Sequence, residues 1–422
     1  LPNAAVSNVI PHIISQHAEE AAFLWLLRDA AVHAPHYDLK DLAKLDDRIE
    51  AHLDGLRIAG EAGWRACEEN LSFEEPGEVF AAAVVALESQ RNDWLEVVYA
   101  LLEKVPETKR AFVSALDWVD PRCLQGTVKD LLDSDSSFWR CVGINACVSH
   151  RVNPGALLVR SLQSDDPVLR ACCCKAVGQL GLKDQLPQLR QTLAEAEEKS
   201  RFWAAWSALL LGERGSALEL VKQVAADSSE LQPEALNLLL RVLSCSESQA
   251  WLKALMVQPE RLRTVIIGVG ISADPLYVPW LIQQMQIPDV ARVAGEAFTN
   301  ISGVDLAYND LEGEWPAGFE AGPSEHPEDE SVEMDADEDL PWPNPELIQE
   351  WWQKNSARFQ AGQRYLLGEL ITVSHCQEVL KKGQQRQRQA AALELALRQS
   401  GSVLFEVASS GARQQKLLAV LN

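Results

Sequence analysis

Ser164-Asp165-Asp166-Pro167-Val168-Leu169-Arg170-Ala171-Cys172-Cys173-Cys174-Lys175-Ala176-Val177-Gly178-Gln179-Leu180-Gly181 decides the fold class. Asp166 is placed to cap a helix whose first turn accepts Pro167, because proline's missing N–H costs nothing there. Ala171, Cys174, Val177 and Leu180 follow at steps of three, a narrow apolar stripe of small residues suited to close helix packing. Gly181 stands where a left-handed C-terminal cap belongs. Leu186 to Leu193 then reads as a second, shorter helix. Such a helix pair cannot bury its apolar face alone, so neighbours must stack on it.

Moving outward, similar openings recur about every thirty residues. Pro106-Glu-Thr-Lys-Arg110-Ala111 starts an apolar segment ending near Trp118, and Ser137-Phe-Trp-Arg140-Cys141 starts one ending near Val148. Arg201, Trp203 and Trp206 lead to Leu211-Gly212, and further units begin at Pro233, Pro259 and Pro288. Pro288-Asp-Val-Ala-Arg292-Val-Ala-Gly-Glu-Ala297 echoes the quoted stretch closely. No stretch alternates with period two, so the predicted class is all-α. The pattern resembles HEAT-like repeats, with their Asp-Pro-x-Val-Arg-x-x-Ala-x-x-Ala-Leu-Gly signature. That resemblance implies an α-solenoid of two-helix repeats that binds other macromolecules, although a few HEAT-like arrays are enzymes.

The repeats are expected over 105–304. Residues 1–104 read as an N-terminal helical cap, with one stripe through Ile10, Ile14, Ala18, Ala21 and Trp25. A second stripe runs through Leu39, Leu42, Leu45, Ile49, Leu53 and Leu56, with Asp38 at its cap position. Residues 305–345 change composition abruptly, to fourteen Asp or Glu and no Lys or Arg. Like charges this close repel one another and extend the chain, which predicts a loop or linker that is mobile in isolation. Residues 346–422 are mildly basic at net +4 and are expected to be helical around Pro345–Gln360 and Gln384–Gln399.

The 422 residues carry a net charge of −23. That balance repels phosphates, so neither nucleic acid nor an anionic membrane is an expected partner, and a basic protein is. No apolar run approaches the roughly 18–20 residues that span a bilayer, and the first thirty residues do not read as a secretory leader. The chain opens at Leu1 without Met, which leaves a removed leader open. Nine Cys with no CxxC pair read as small apolar residues in a reducing cytosol.

The search for chemistry yields little. His33-x-x-His36-x-Asp38, with Asp47 and His52, contains metal-ligand types but lacks the closed spacing of a structural zinc site; surface and capping roles are the simpler reading. His52 reads as a hydrogen-bonded packing residue with a neighbouring carboxylate. There is no nucleophile elbow or phosphate loop, and Gly268-Val-Gly270 follows a helical pattern rather than a strand. No catalytic residue, cofactor or metal is assigned.

The acidic loop is the feature expected to bind. Its candidate contact residues are Glu325, Glu328, Asp329, Glu330, Glu333, Asp335, Asp337, Glu338 and Asp339, with Trp315 and Trp342 as bracketing aromatic anchors. The alternatives are a solvated linker, or a loop folded back on basic residues around Lys381, Lys382, Arg386 and Arg388. Trp315, Trp342, Trp351 and Trp352 could equally pin the loop's ends, and at least one of the adjacent pair is expected inside.

A wider set of motifs flanks the repeats in order: Ala22-Phe-Leu-Trp25, Leu45-Asp-Asp-Arg48-Ile-Glu-Ala-His52-Leu-Asp-Gly-Leu56, Leu340-Pro-Trp-Pro343, Gln363-Arg-Tyr-Leu-Leu-Gly368 and Gln385-Arg-Gln-Arg-Gln-Ala-Ala-Ala-Leu-Glu-Leu395. Together they resemble a bacterial family encoded within type VI secretion loci. The resemblance implies a cytoplasmic accessory role beside a secreted effector and brings no catalytic motif with it. Charge and context favour an immunity protein that covers the basic active-site region of an effector toxin, such as a nuclease. An adaptor or chaperone that loads the effector is the first alternative, and a HEAT-like lyase-type enzyme is the second.

Overall fold

Pro11 opens helix α1 (Pro11–Ala31), which buries Ala18, Ala21, Leu24 and Trp25 along one side. Asp38 caps α2 (Leu39–Ala59) by accepting the N–H groups of Lys40 and Asp41 at 2.7 and 2.9 Å. The computed structural model describes residues 10–194, 197–323 and 334–420. Among them are twenty-two α-helices and a single two-stranded hairpin, so the chain is all-α. None of these helices is long and apolar enough to cross a membrane. The chain divides into two compact units.

The first unit takes the described residues of Leu1–Gly212 with Lys381–Gln385 and Ser400–Asn422. After α1 and α2 come α3 (Glu61–Asn70), α4 (Pro76–Ser89), α5 (Asn92–Lys104), α6 (Lys109–Trp118), α7 (Thr127–Asp133) and α8 (Ser137–Ser149). Then follow α9 (Ala156–Leu162), α10 (Pro167–Gln179), α11 (Leu186–Thr192) and α12 (Glu198–Leu210). From α4 to α12 each even-numbered helix packs on the next even-numbered one, while α7, α9 and α11 pack on α8, α10 and α12. Within this packing the quoted stretch forms α10, which lies against α8 and α12. Asp166 accepts the N–H of Val168 at 2.8 Å, and Ala171, Cys174 and Val177 are buried. Gly181 (φ +69°) and Gly212 (φ +93°) take the left-handed conformation that a C-terminal cap needs.

The core of this unit is aromatic where α1 and α4 meet. Trp25 stacks on Phe80 at 5.4 Å between ring centroids and donates Nε1–H to Ser114 Oγ at 2.9 Å. The approach depends on Gly77, where a Cβ would stand 2.5 Å from the Ala22 carbonyl oxygen. Helix propensity favours alanine over glycine by about 1 kcal/mol. A clash with backbone on the neighbouring helix outweighs that gain. Gly77→Ala is therefore expected to lower stability by about 1–3 kcal/mol, read as a lower urea midpoint at unchanged slope.

The second unit takes Glu213–Leu380 and Arg386–Gln399. It contains α13 (Ser216–Ala226), α14 (Gln232–Val242), α15 (Cys245–Leu255), α16 (Leu262–Ser272), α17 (Val278–Gln284), α18 (Pro288–Ser302) and α19 (Pro345–Asn355). Strands β1 (Tyr365–Leu366) and β2 (Glu369–Leu370) form the hairpin. They are followed by α20 (Val373–Lys382) and α21 (Gln385–Arg398), each of which lies mostly in this unit. Helix α14 packs on α16 and α16 on α18, while α13, α15 and α17 back them. The last helix, α22 (Gly411–Ala419), returns to the first unit and packs on α2.

One short hairpin accompanies the helices. Leu367 and Gly368 take positive φ and donate their N–H groups to the carbonyls of Asn300 and Ile301, at 2.8 and 3.1 Å. The hairpin thus satisfies carbonyls that the end of α18 would otherwise leave open. No disulfide joins the nine cysteines; six are buried, and Cys123, Cys172 and Cys245 are half-buried.

Candidate functional site

The acidic loop is rooted in the second unit by pairing its own ends. Gly313 donates its N–H to the Trp342 carbonyl at 2.7 Å, and Asn344 donates to that of Leu311 at 2.9 Å. This brings Trp315 beside Trp342, with ring centroids 5.2 Å apart, and Phe319 closes the cluster at 5.5 Å from Trp342. Trp315 Nε1–H reaches the Phe319 carbonyl at 2.8 Å, yet the Trp315 side of the cluster stays half open to solvent. Trp352 is buried and Trp351 packs edge-on against Phe298, so one of that pair lies inside, as read from the sequence.

Arg292 on α18 holds the cluster from beneath. Its guanidinium lies 5.2 Å from the ring centroids of both Trp315 and Trp342, in reach of cation–π attraction from each. It also donates to the Asp337 carbonyl at 2.9 Å and pairs with the Asp335 carboxylate at 2.8 Å. Arg263 on α16 grips the Asp337 carboxylate through both Nη atoms, one of them at 2.9 Å. Arg292 is only 4% exposed and Asp337 only 6% exposed, so these charges are compensated inside the protein.

The expected contact residues therefore divide. Asp335 and Asp337 are internal anchors rather than a surface offered to a partner. Glu338 and Asp339 are exposed on the turn that follows. Glu325, Glu328, Asp329, Glu330 and Glu333 lie outside the described residues. Arg386 pairs with Glu296 at 3.0 Å, and the buried Arg388 donates to the Leu380 carbonyl at 2.8 Å.

Burial works against the Asp335 carboxylate. The Arg292 hydrogen bond, the Asp337 N–H and the charges of Arg292 and Arg263 outweigh it, holding the carboxyl below its ordinary value of 3.8. The folded state thus binds this proton less tightly than the unfolded chain. Its stabilising contribution is complete above the unfolded-state value and is lost as pH falls through the lower folded-state value. Amide exchange over residues 335–340 should stay slow at about pH 5 and accelerate as pH is taken well below the ordinary carboxyl value. Asp335→Asn should be less protected already at pH 5, with little further change.

Beside the anchor, the second unit forms a half-open cavity of about 420 Å³ between α14, α16, α18 and α21. Ala336 and Asp337 from the loop root form part of its rim. In the first unit His36 lines a more open pocket of about 370 Å³ with Tyr37, Asp41, Lys44, Leu45 and Arg48. Asp38 is occupied as a helix cap, and His52 faces His17, at 3.1 Å between Nδ1 atoms, rather than a carboxylate. Among the described residues no three His, Cys, Asp or Glu side chains converge as metal ligands. No model of a known protein family matches the chain, and no curated protein matches it significantly.

Proposed function

We propose that the protein is a cytoplasmic immunity protein that binds a basic effector toxin domain of a type VI secretion system, such as a nuclease, and covers its active-site region. The observation that carries this reading is the acidic loop with its fixed root. Fourteen carboxylates and no Lys or Arg fall within 305–345, and the Arg292–Arg263–tryptophan anchor holds both ends of that segment on α16 and α18. A polyanion held at its root attracts a basic cleft over a distance set by the Debye length and raises the association rate. The exposed Trp315 beside the root offers an aromatic anchor once contact is made. An effector-loading adaptor would use the same surface but leave the toxin active.

The anchor also dictates how the proposal is tested. Removing the whole acidic segment would destroy Asp335 and Asp337 and unfasten the root, so a loss of binding would be ambiguous. Neutralising Glu325, Glu328, Asp329, Glu330 and Glu333 to Gln or Asn leaves the root intact. The chain is co-expressed with the product of the gene beside it, and association rate is measured against salt. The five-fold neutralised variant is expected to associate at least about tenfold more slowly at low salt, with a flatter salt dependence. Equal rates and equal salt slopes would contradict the role given to the loop.

A further inference from the structure

The cavity in the second unit has a buried cluster of charges in its wall. Glu394 on α21 is 1% exposed and is the shared partner of three guanidinium groups. Arg364 pairs with it at 2.5 Å, Arg398 pairs with it one turn along the helix, and Arg241 stands at 3.7 Å. Of these three only Arg241 lines the cavity, where Arg263 also pairs with Asp337 and Arg386 with Glu296. Three guanidinium groups therefore share the one carboxylate of Glu394, while the cavity wall itself carries three arginines and three carboxylates.

The three arginines around Glu394 are not equally committed. Arg364 spends its other donors on the carbonyls of Ser272, Arg241 and Ile271, and Arg398 reaches the Ile371 carbonyl. Arg241 lines the cavity with a side chain 7% exposed. Its Nη1 donates to the Asn237 carbonyl and side-chain oxygens at 2.8 and 2.6 Å. Its Nε is buried without a hydrogen-bond partner. A buried guanidinium with an unsatisfied donor and a third share of one carboxylate is incompletely compensated. Burial accordingly pushes its proton affinity down, to a pKa of about 10.

The remaining wall is mixed. Leu236, Ile267, Val293 and Ala297 are apolar, and Asn237 and Asn300 can read polar atoms. A volume of about 420 Å³ fits a small organic molecule. We infer that this cavity binds a small organic anion whose carboxylate or phosphate group pairs with Arg241 and whose apolar body lies against Leu236, Ile267 and Val293. The anion supplies the negative charge that Glu394 alone cannot. Carboxylate and phosphate share this recognition chemistry, because guanidinium offers paired donors to either.

The test uses the full chain with benzoate, phenyl phosphate, inorganic phosphate and uncharged benzyl alcohol at millimolar concentration, each against chloride of equal ionic strength. Calorimetry and the unfolding temperature are the readouts. Benzoate or phenyl phosphate is expected to bind saturably and raise the unfolding temperature, and whichever is tighter identifies the anionic group. Benzyl alcohol is expected to bind at least tenfold more weakly, since it lacks the charge. Arg241→Gln should weaken the anion at least tenfold. Ile267→Trp, which fills the half-exposed mouth and leaves every ion pair in place, should do the same and decides the matter if the first variant does not fold. No saturable binding by any of the three anions, benzyl alcohol binding as tightly as they do, or unchanged affinity in Ile267→Trp would each overturn the inference.

Discussion

Arg292→Ala is expected to cost the second unit about 3–5 kcal/mol of stability, the range for breaking a buried ion pair from one side. The guanidinium compensates Asp335, satisfies the Asp337 carbonyl and fills the space between two tryptophan rings. Removing it leaves a carboxylate and a carbonyl without their donor and opens a void beneath Trp315 and Trp342. Arg292→Lys restores charge but not the planar fork that reaches two acceptors while stacking on two rings, so it should recover only part of the loss. Chemical unfolding gives the total. Amide exchange over 311–319 and 335–344 locates it, with fast exchange expected there well below the global unfolding transition. Arg263→Ala, which removes a half-exposed partner of the same turn, should have a smaller effect.

Asp46→Ala is the second large effect, and it falls in the first unit. Arg28 and Asp46 pair at 2.6 Å with side chains 6% and 8% exposed. Each also bonds to the returning C-terminal segment. Arg28 donates to the Ala408 carbonyl at 2.8 Å, and Asp46 accepts the Gly411 N–H at 2.6 Å. The pair therefore fastens α1 and α2 to the start of α22, more than 360 residues along the chain. Without Asp46, a buried guanidinium and a buried N–H both lose their acceptor, and a loss of about 3–5 kcal/mol is expected. Detachment of α22 should precede global unfolding, visible as early proteolysis after residue 399. Replacing Arg28 and Asp46 together with Met and Leu should cost much less than Asp46→Ala alone, because two apolar groups leave no orphaned charge.

The helices were legible because their signals are local. Asp166-Pro167 and Pro288 begin helices where the sequence places them, Gly181 and Gly212 end them, and Asp38 caps α2. Elements held by tertiary contacts were not. The six-residue hairpin at 365–370 exists because Leu367 and Gly368 satisfy the end of α18, and no period-two pattern fits in strands of two residues. Helices α20 and α22 lie within 346–422, expected to be helical as a whole, although neither is placed individually.

The loop shows the same limit from the other side. Composition marks 305–345 as uniformly acidic and cannot say which carboxylates are used internally. Asp337 meets Arg263 from 74 positions away, and Asp335 meets Arg292 from 43. Such pairings depend on the packed helices that carry the arginines. Similarly, Glu394 looks like one more polar residue of a Gln- and Arg-rich helix until the fold gathers Arg241, Arg364 and Arg398 around it.

The most direct measurement is co-expression of the chain with the product of the neighbouring gene, scored for complex formation and for toxicity with and without the chain. Immunity predicts a tight, salt-sensitive complex and survival of cells that the partner alone would kill. Survival should fall when Glu325, Glu328, Asp329, Glu330 and Glu333 are neutralised with the Arg292 anchor intact. A complex that leaves the partner fully toxic, or no complex at low salt, would contradict it.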